Sequence, residues 1–177
     1  MRVKKASLIE GSLLHIIKLT VYDPCNFIIT NFTVGKEGRE YSACEFSLNN
    51  KKVICRDAKI TPKKIGQFVT FWQRNLEGVT VPFHQTQAID CFIVNVKDQQ
   101  SFGQFVFPIS ILIEKEIVTT NLKDGKRAFR VYPPWCNPQS KQAKRTQDWQ
   151  LHFYLKIAQP LSFDRIKKLY ADVLDEV

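Results

Sequence analysis

At 177 residues and 44% hydrophobic, the chain is long enough for one domain with a buried core, and its formal charge of +9 makes polyanions natural partners. Five cysteines form no CxxC pair and the three histidines are isolated, which argues against a zinc site. The apolar stretches fall far short of a membrane span, and the basic N-terminal segment has no small-residue cleavage site, so the expected setting is the cytoplasm, without a membrane partner.

In chain order, Leu8, Ile9, Leu13, Ile16 and Ile17 fall at helical spacing and predict an amphipathic helix over residues 4–19. Phe27 to Val34, rich in β-branched and aromatic residues, reads as a strand, and Gly35 to Gly38 as a turn. Strands over about 40–48 and 52–60 follow, joined by Asn49-Asn50. Pro62 is placed to open a helix running to Arg74, with Gly66 as a weak point, and Asn75 to Gln87 reads as loop. Ile89 to Val96 is a strand of the fully buried type and Phe102 to Phe107 another. Pro108 opens a short helix to Glu116, Asp124-Gly125 marks a turn and Ala128 to Tyr132 a strand. Ser140 can cap a helix reaching Ile157, and an amphipathic C-terminal helix spans 162–175. A three-strand meander, a crossover helix and a fourth strand imply a single α/β domain over residues 1–177, a mixed sheet flanked by helices. GQFV occurs at 66–69 and 103–106, in a predicted helix and a predicted strand, and is not read as a repeat.

The charge is localised. Residues 51–64 carry a net +5 and residues 121–145 a net +6, leaving the remainder at −2. Such blocks favour a binding surface over uniform solubilising charge. In the first block, Asp57 and Lys59 are two residues apart on a strand and so share a face. A metal-dependent phosphodiesterase uses such a pair to hold a cation and a scissile phosphate; a basic groove with one acid looks the same. The second carboxylate depends on strand register. With Asn49-Asn50 alone as the turn, Glu45 shares a face with Arg56 and pairs with it. With Lys51 included in the loop, Glu45 faces Cys55 beside Asp57 and Lys59, completing a site for Mg²⁺. The second register has one point in its favour, gathering Cys44, Phe46, Leu48, Ile54, Ala58 and Ile60 on a single apolar face; the first, which mixes Phe46 and Leu48 with Val53 and Cys55, is also acceptable.

The second block, GKRAFRVYPPWCNPQSKQAKRTQDWQ, interleaves Arg127, Arg130, Lys141, Lys144 and Arg145 with Phe129, Tyr132, Trp135 and Trp149. Cations neutralise phosphate while aromatic faces stack on exposed bases, and single strands need both. Lys141, Lys144 and Arg145 form one helical stripe near a helix start, where the dipole disfavours positive charge. Trp149, near Leu151, Phe153 and Tyr154, is expected in the core; Tyr132 and Trp135, flanking Pro133 and Pro134, are the better stacking candidates.

At RDAKITPKKIGQFVTFWQR, GQFVFP, GKRAFRVYPPW and SKQAKRTQDWQ the sequence resembles the MepB protein family, small bacterial proteins encoded beside a multidrug efflux pump and its repressor in staphylococci. The likeness spans about residues 22–157. It implies a restriction-endonuclease-like core of the PD-(D/E)XK type and nucleic-acid binding, with members degenerate at the nuclease acid positions. On that pattern Lys59 is the motif lysine and Asp57 its acid, with Glu45 and Glu10 as stand-ins for the acids of the preceding strand and first helix. The expected function is therefore binding of RNA or single-stranded DNA, with weaker binding of duplex DNA and little or no cleavage, through Arg56, Lys59, Lys63, Lys64, Arg127, Arg130, Tyr132, Trp135, Lys141, Lys144 and Arg145. No cofactor is expected. The alternatives are a Mg²⁺-dependent endonuclease using Glu45, Asp57 and Lys59, and a regulatory module whose basic face meets an acidic protein.

Overall fold

The structure is a computed structural model that describes residue 8 and residues 10–174. Its centre is a six-stranded sheet built by long-range pairing. Strands β1 (Ile29–Val34), β2 (Cys44–Leu48) and β3 (Lys51–Asp57) form the expected meander. After β3 the chain leaves this sheet for four short strands: β4 (Lys59–Thr61), β5 (Lys64–Thr70), β6 (Trp72–Arg74) and β7 (Thr80–Pro82). It returns as β8 (Cys91–Lys97), parallel to β3, and turns back as β9 (Phe102–Pro108). Helix α1 (Leu13–Ile17) precedes the sheet; α2 (Ile109–Glu114), β10 (Ala128–Val131), α3 (Lys141–Leu151), β11 (Tyr154–Lys156) and α4 (Phe163–Ala171) complete the chain. The sheet order is β1-β2-β3-β8-β9-β11, antiparallel except at β3–β8.

Both faces of the central strands are covered, which explains their near-continuous burial from Val53 to Arg56 and from Cys91 to Val96. One core packs Leu14, Ile17 and Tyr22 from the N-terminal helical segment and Ile166, Leu169 and Tyr170 from α4 against Phe46, Cys55 and Ile93. The other packs Val69, Phe71, Val131 and Leu112 against Ile54, Phe92 and Phe107. The result is an α/β domain with a mixed sheet flanked by helices.

Four expectations change. The crossover from 62 to 74 is not a helix. Pro62 sits in the turn joining β4 to β5, where Thr61 pairs with Lys64, and Gly66 has a left-handed φ of 83°. The β-branched and aromatic run Phe68 to Trp72 then extends as strand. Second, the segment from 75 to 87 is not all loop, since β7 pairs with β6. Third, the helix expected to reach Ile157 stops at Leu151, because Tyr154–Lys156 completes the sheet along β9. Fourth, helix α1 gives way at Lys18 to a π-helical turn through Tyr22; the start of the helix expected over 4–19 lies outside the described residues. The predicted caps stand: the hydroxyl of Ser140 accepts from Ala143 N–H and that of Ser162 from Arg165 N–H.

The β2–β3 register is settled by backbone chemistry. Asn49 and Asn50 both have positive φ, 46° and 68°, the signature of a two-residue type I′ hairpin turn, so Leu48 pairs with Lys51 and Cys44 with Cys55. The two GQFV segments lie in similar settings after all. Both are strands, both glutamines are buried, and each glycine lies under a tyrosine ring: an added Cβ would meet Tyr132 at 2.6 Å at Gly66, and the Tyr154 hydroxyl at Gly103.

Candidate nucleic-acid interface

Strand register assembles the outer surface of the small sheet. In the order β10-β5-β4, Arg130 pairs with Phe68 and Phe68 with Lys59, so these three side chains form one row across three strands. All three are partly exposed. The Arg130 guanidinium lies 5.8 Å from the Phe68 ring centroid, and Lys59 Nζ lies 4.7 Å from the ring of Tyr41, which itself packs 6.2 Å from Phe68. Arg130 is fixed by donating to Gly66 O at 3.0 Å and Thr61 Oγ1 at 2.6 Å. Tyr132 continues the surface over Gly66. Lys63 and Lys64, exposed at the β4–β5 turn, are held in no ion pair among the described residues, whereas Lys59 meets Glu40 at 3.1 Å.

Helix α3 docks on the free edge of β10 through Gln150, while Gln147 donates to the main chain that follows, at Pro133 O and Cys136 O. The buried Gln150 accepts from Tyr132 N–H at 2.8 Å and donates to Arg130 O at 2.9 Å, replacing a missing strand neighbour. Between α3 and β10 runs an open groove of about 400 Å³, lined by Lys115, Lys126, Arg130, Tyr132 and Trp149 among others. Cations, aromatic rings and amide groups thus meet on one continuous surface.

The remaining predicted contacts separate. Lys141, Lys144 and Arg145 are exposed, but the groove-facing residues of α3 are Gln142, Ala143, Thr146, Trp149 and Gln150, so the basic stripe lies on the helix's other side. Arg127 is exposed, with its Nε donating to Thr80 O at 2.8 Å. Trp135 is half-buried against Tyr154, and Trp149 packs on Phe107 as expected of a core residue. Arg56 leaves the phosphate-binding set: it is 8% exposed, and its guanidinium donates to the main-chain oxygens of Cys55 and Cys44. Burial lowers its pKa, opposed by the nearby Cys55, Cys44 and Glu45.

The acidic constellation also divides. Cys44 opposite Cys55 puts Asp57 on the α1 side of the sheet and Glu45, paired with Ile54, on the other. Glu45 instead lies 3.9 Å from Lys52 Nζ, and Glu10 is exposed in a turn ahead of α1. The candidate Mg²⁺ site of Glu45, Asp57 and Lys59 is therefore not assembled, and no cluster of three His, Cys, Asp or Glu suited to a metal occurs among the described residues. Continuing the Cys44–Cys55 register brings Ser42 beside Asp57.

Asp57 heads a buried polar row. It accepts from Asn95 Nδ2 at 2.8 Å; Asn95 Oδ1 accepts from Gln104 Nε2 at 2.9 Å; Gln104 Oε1 accepts the one hydroxyl proton of Tyr170 at 2.5 Å, and the Tyr170 oxygen lies 3.1 Å from the Tyr22 hydroxyl, within hydrogen-bond reach. Asp57, Asn95 and Gln104 are register partners across β3, β8 and β9. Burial raises the Asp57 pKa above the ordinary 3.8, opposed by the bonds from Ser42 and Asn95 and by the charge of Lys97. With the folded value raised, the folded protein binds the proton more tightly, so this stabilisation is full below 3.8 and is lost as pH rises through the raised value. Asp57→Asn is expected to gain stability over the parent across that window, with a constant difference above it. Urea midpoints from acid to neutral pH check this; a difference independent of pH would refute it.

A MepB-like family model matches residues 35–156. The chain belongs to this family. The matched region contains the small sheet, α3 and the D-x-K segment, whose Asp57 and Lys59 do not share one strand face as expected: Asp57 ends β3 in the central sheet and Lys59 opens β4 in the small one. MepB-like membership extends to structure: the crystal structure of MepB superposes with a TM-score of 0.73 at 34% identity, covering 86% of this chain and 99% of that one. A bacterial homing endonuclease, I-Ssp6803I, aligns with a TM-score of 0.39 at 14% identity over 77% of this chain and 85% of its own, a likeness too low to carry an argument. No curated protein sequence matches the chain.

The interface has members that the sequence reading missed. Phe68 and Tyr41 are central to the outer row, and Lys115 and Lys126 line the groove. The alternation Lys64, Gly66, Phe68, Thr70 carries the period-two signal that would have exposed Phe68, had Pro62 not suggested a helix.

Proposed function

We propose that this protein binds nucleic acid through the outer face of its small sheet, prefers RNA or single-stranded DNA to duplex, and does not cleave efficiently. The observation that carries this is the Lys59–Phe68–Arg130 row flanked by Tyr41 and Tyr132, because cations and ring faces alternate there at strand spacing. Bases that are free to splay can stack on such rings while the cations meet the backbone; a closed duplex offers only the phosphates. Low cleavage is supported by the position of Glu45 across the sheet from Asp57 and by Ser42 standing beside that acid. Lys63 and Lys64 at the turn and Lys126 in the groove extend the phosphate path.

The test combines affinity and integrity of end-labelled single strands. With about five phosphate contacts, log K should fall with log salt at a slope of about −3.5. Strands incubated with Mg²⁺ or Mn²⁺ should run intact on a denaturing gel while shifting on a native one. Salt-independent affinity would refute the binding reading. Shortened strands that require both metal and Asp57 would replace it with a metal-dependent endonuclease.

A further inference from the structure

The polar row opens at its Asp57 end into a cavity that the outer-face reading does not use. It encloses about 400 Å³ and is walled largely by apolar groups, among them Leu14, Phe32, Val34, Cys44 and Cys55. That volume lies within the range of about 300–1,000 Å³ found for small-molecule sites. Asp57 and Asn95 provide its polar end, and Arg39, exposed and in no ion pair among the described residues, also lines it.

Two features select the occupant. An ionised carboxylate is acceptor-only, with about four lone-pair positions. Asp57 Oδ1 accepts from the neutral amide of Asn95 at 2.8 Å, so part of the carboxylate's acceptor capacity remains for a ligand that brings donors. The carboxylate is also held in place: Asn95 is clamped by Gln104, and Gln104 by Tyr170 and Tyr22, all fully or almost fully buried. A fixed acceptor pair facing an apolar slot suits a flat molecule with two adjacent N–H donors on one edge. Guanine, with N1–H beside its exocyclic amine, presents such an edge; adenine, cytosine and uracil have no two adjacent donors on theirs. A base between apolar walls with Arg39 in reach of its phosphate completes the match to a cation, a slot and a carboxylate.

We propose that this cavity binds a guanine base, read by Asp57 on its Watson–Crick edge, with Arg39 meeting the attached phosphate. The chemistry is shared by a free guanine nucleotide and by an unpaired guanine in a strand; the second source rests on the single-strand reading above, the first does not.

The experiment has two arms on the full chain. By calorimetry, GMP should bind at least about tenfold more tightly than AMP, CMP or UMP, the difference expected from one or more buried hydrogen-bonding groups left unpaired. Asp57→Asn should erase that preference, and Val34→Trp, at a half-exposed wall of the cavity, should weaken GMP binding through bulk alone. In the second arm, one internal guanine placed in an oligothymidylate should tighten binding by the parent protein and add nothing with Asp57→Asn. Equal affinity for the four nucleotides, or a GMP preference kept in both variants, overturns the proposal. GMP selectivity without oligothymidylate binding supports the cavity and overturns the outer-face reading. Oligothymidylate binding with no guanine effect in either arm does the reverse.

Discussion

Gln104→Leu is expected to destabilise the protein by about 3 kcal/mol, measured as a shift of the urea unfolding curve. Leucine is close to glutamine in volume, so the loss comes from hydrogen bonding rather than from a cavity. The side chain is fully buried and donates to Asn95 Oδ1 and the Tyr22 hydroxyl while accepting from Tyr170. Its removal strands the Asn95 amide oxygen in the core beneath α4, at about 1–3 kcal/mol, and leaves the Tyr170 and Tyr22 hydroxyls only each other as partners. The effect should be cooperative, because Asn95 in turn orients Asp57. Tyr170→Phe removes one end of the row and should cost about half as much. A loss below about 1 kcal/mol for Gln104→Leu would mean that the tyrosines find new partners and that the row is not a single unit.

Much of this architecture was legible because it rests on local rules. Asn49-Asn50 specified a tight turn, the residues from 52 on read as a strand and Ile89 to Val96 as a strand of the buried type, and Ser140 and Ser162 announced helix starts. The preference of type I′ turns for two residues was enough to separate Glu45 from Asp57, yet the apolar faces left both registers open. What escaped the sequence depended on distant pairing. Residues 59, 68 and 130 share a row only because β10 joins the β4–β5 hairpin, a pairing that bridges the whole stretch between the two basic blocks. Asn95 and Gln104 likewise look like isolated polar residues within apolar strands until β8 and β9 are aligned. The crossover misled for a physical reason: proline is as suitable at the second position of a turn as at the start of a helix, and only the following Gly66 and aromatic run argue for the strand.

The outer face should separate phosphate contact from base stacking by the shape of the salt dependence. Lys63→Ala with Lys64→Ala removes two exposed charges from a turn where no ion pair holds them among the described residues, so the fold should be untouched. If both meet phosphates of a single strand, the slope of log K against log salt should become shallower by about 1.4, and affinity at about 0.1 M salt should fall about 25-fold. Phe68→Leu keeps apolar bulk beside Tyr41 but removes the ring on which a base would lie. It should weaken single-strand binding by about tenfold with no change in slope, since stacking releases no counterions. Duplex binding, where the bases are already stacked on one another, should respond to the lysines and ignore Phe68→Leu. An acidic protein partner would produce the same duplex-like pattern for every ligand. A single strand that loses affinity with the lysine pair and is indifferent to Phe68→Leu would therefore overturn the stacking platform while leaving an electrostatic surface in its place.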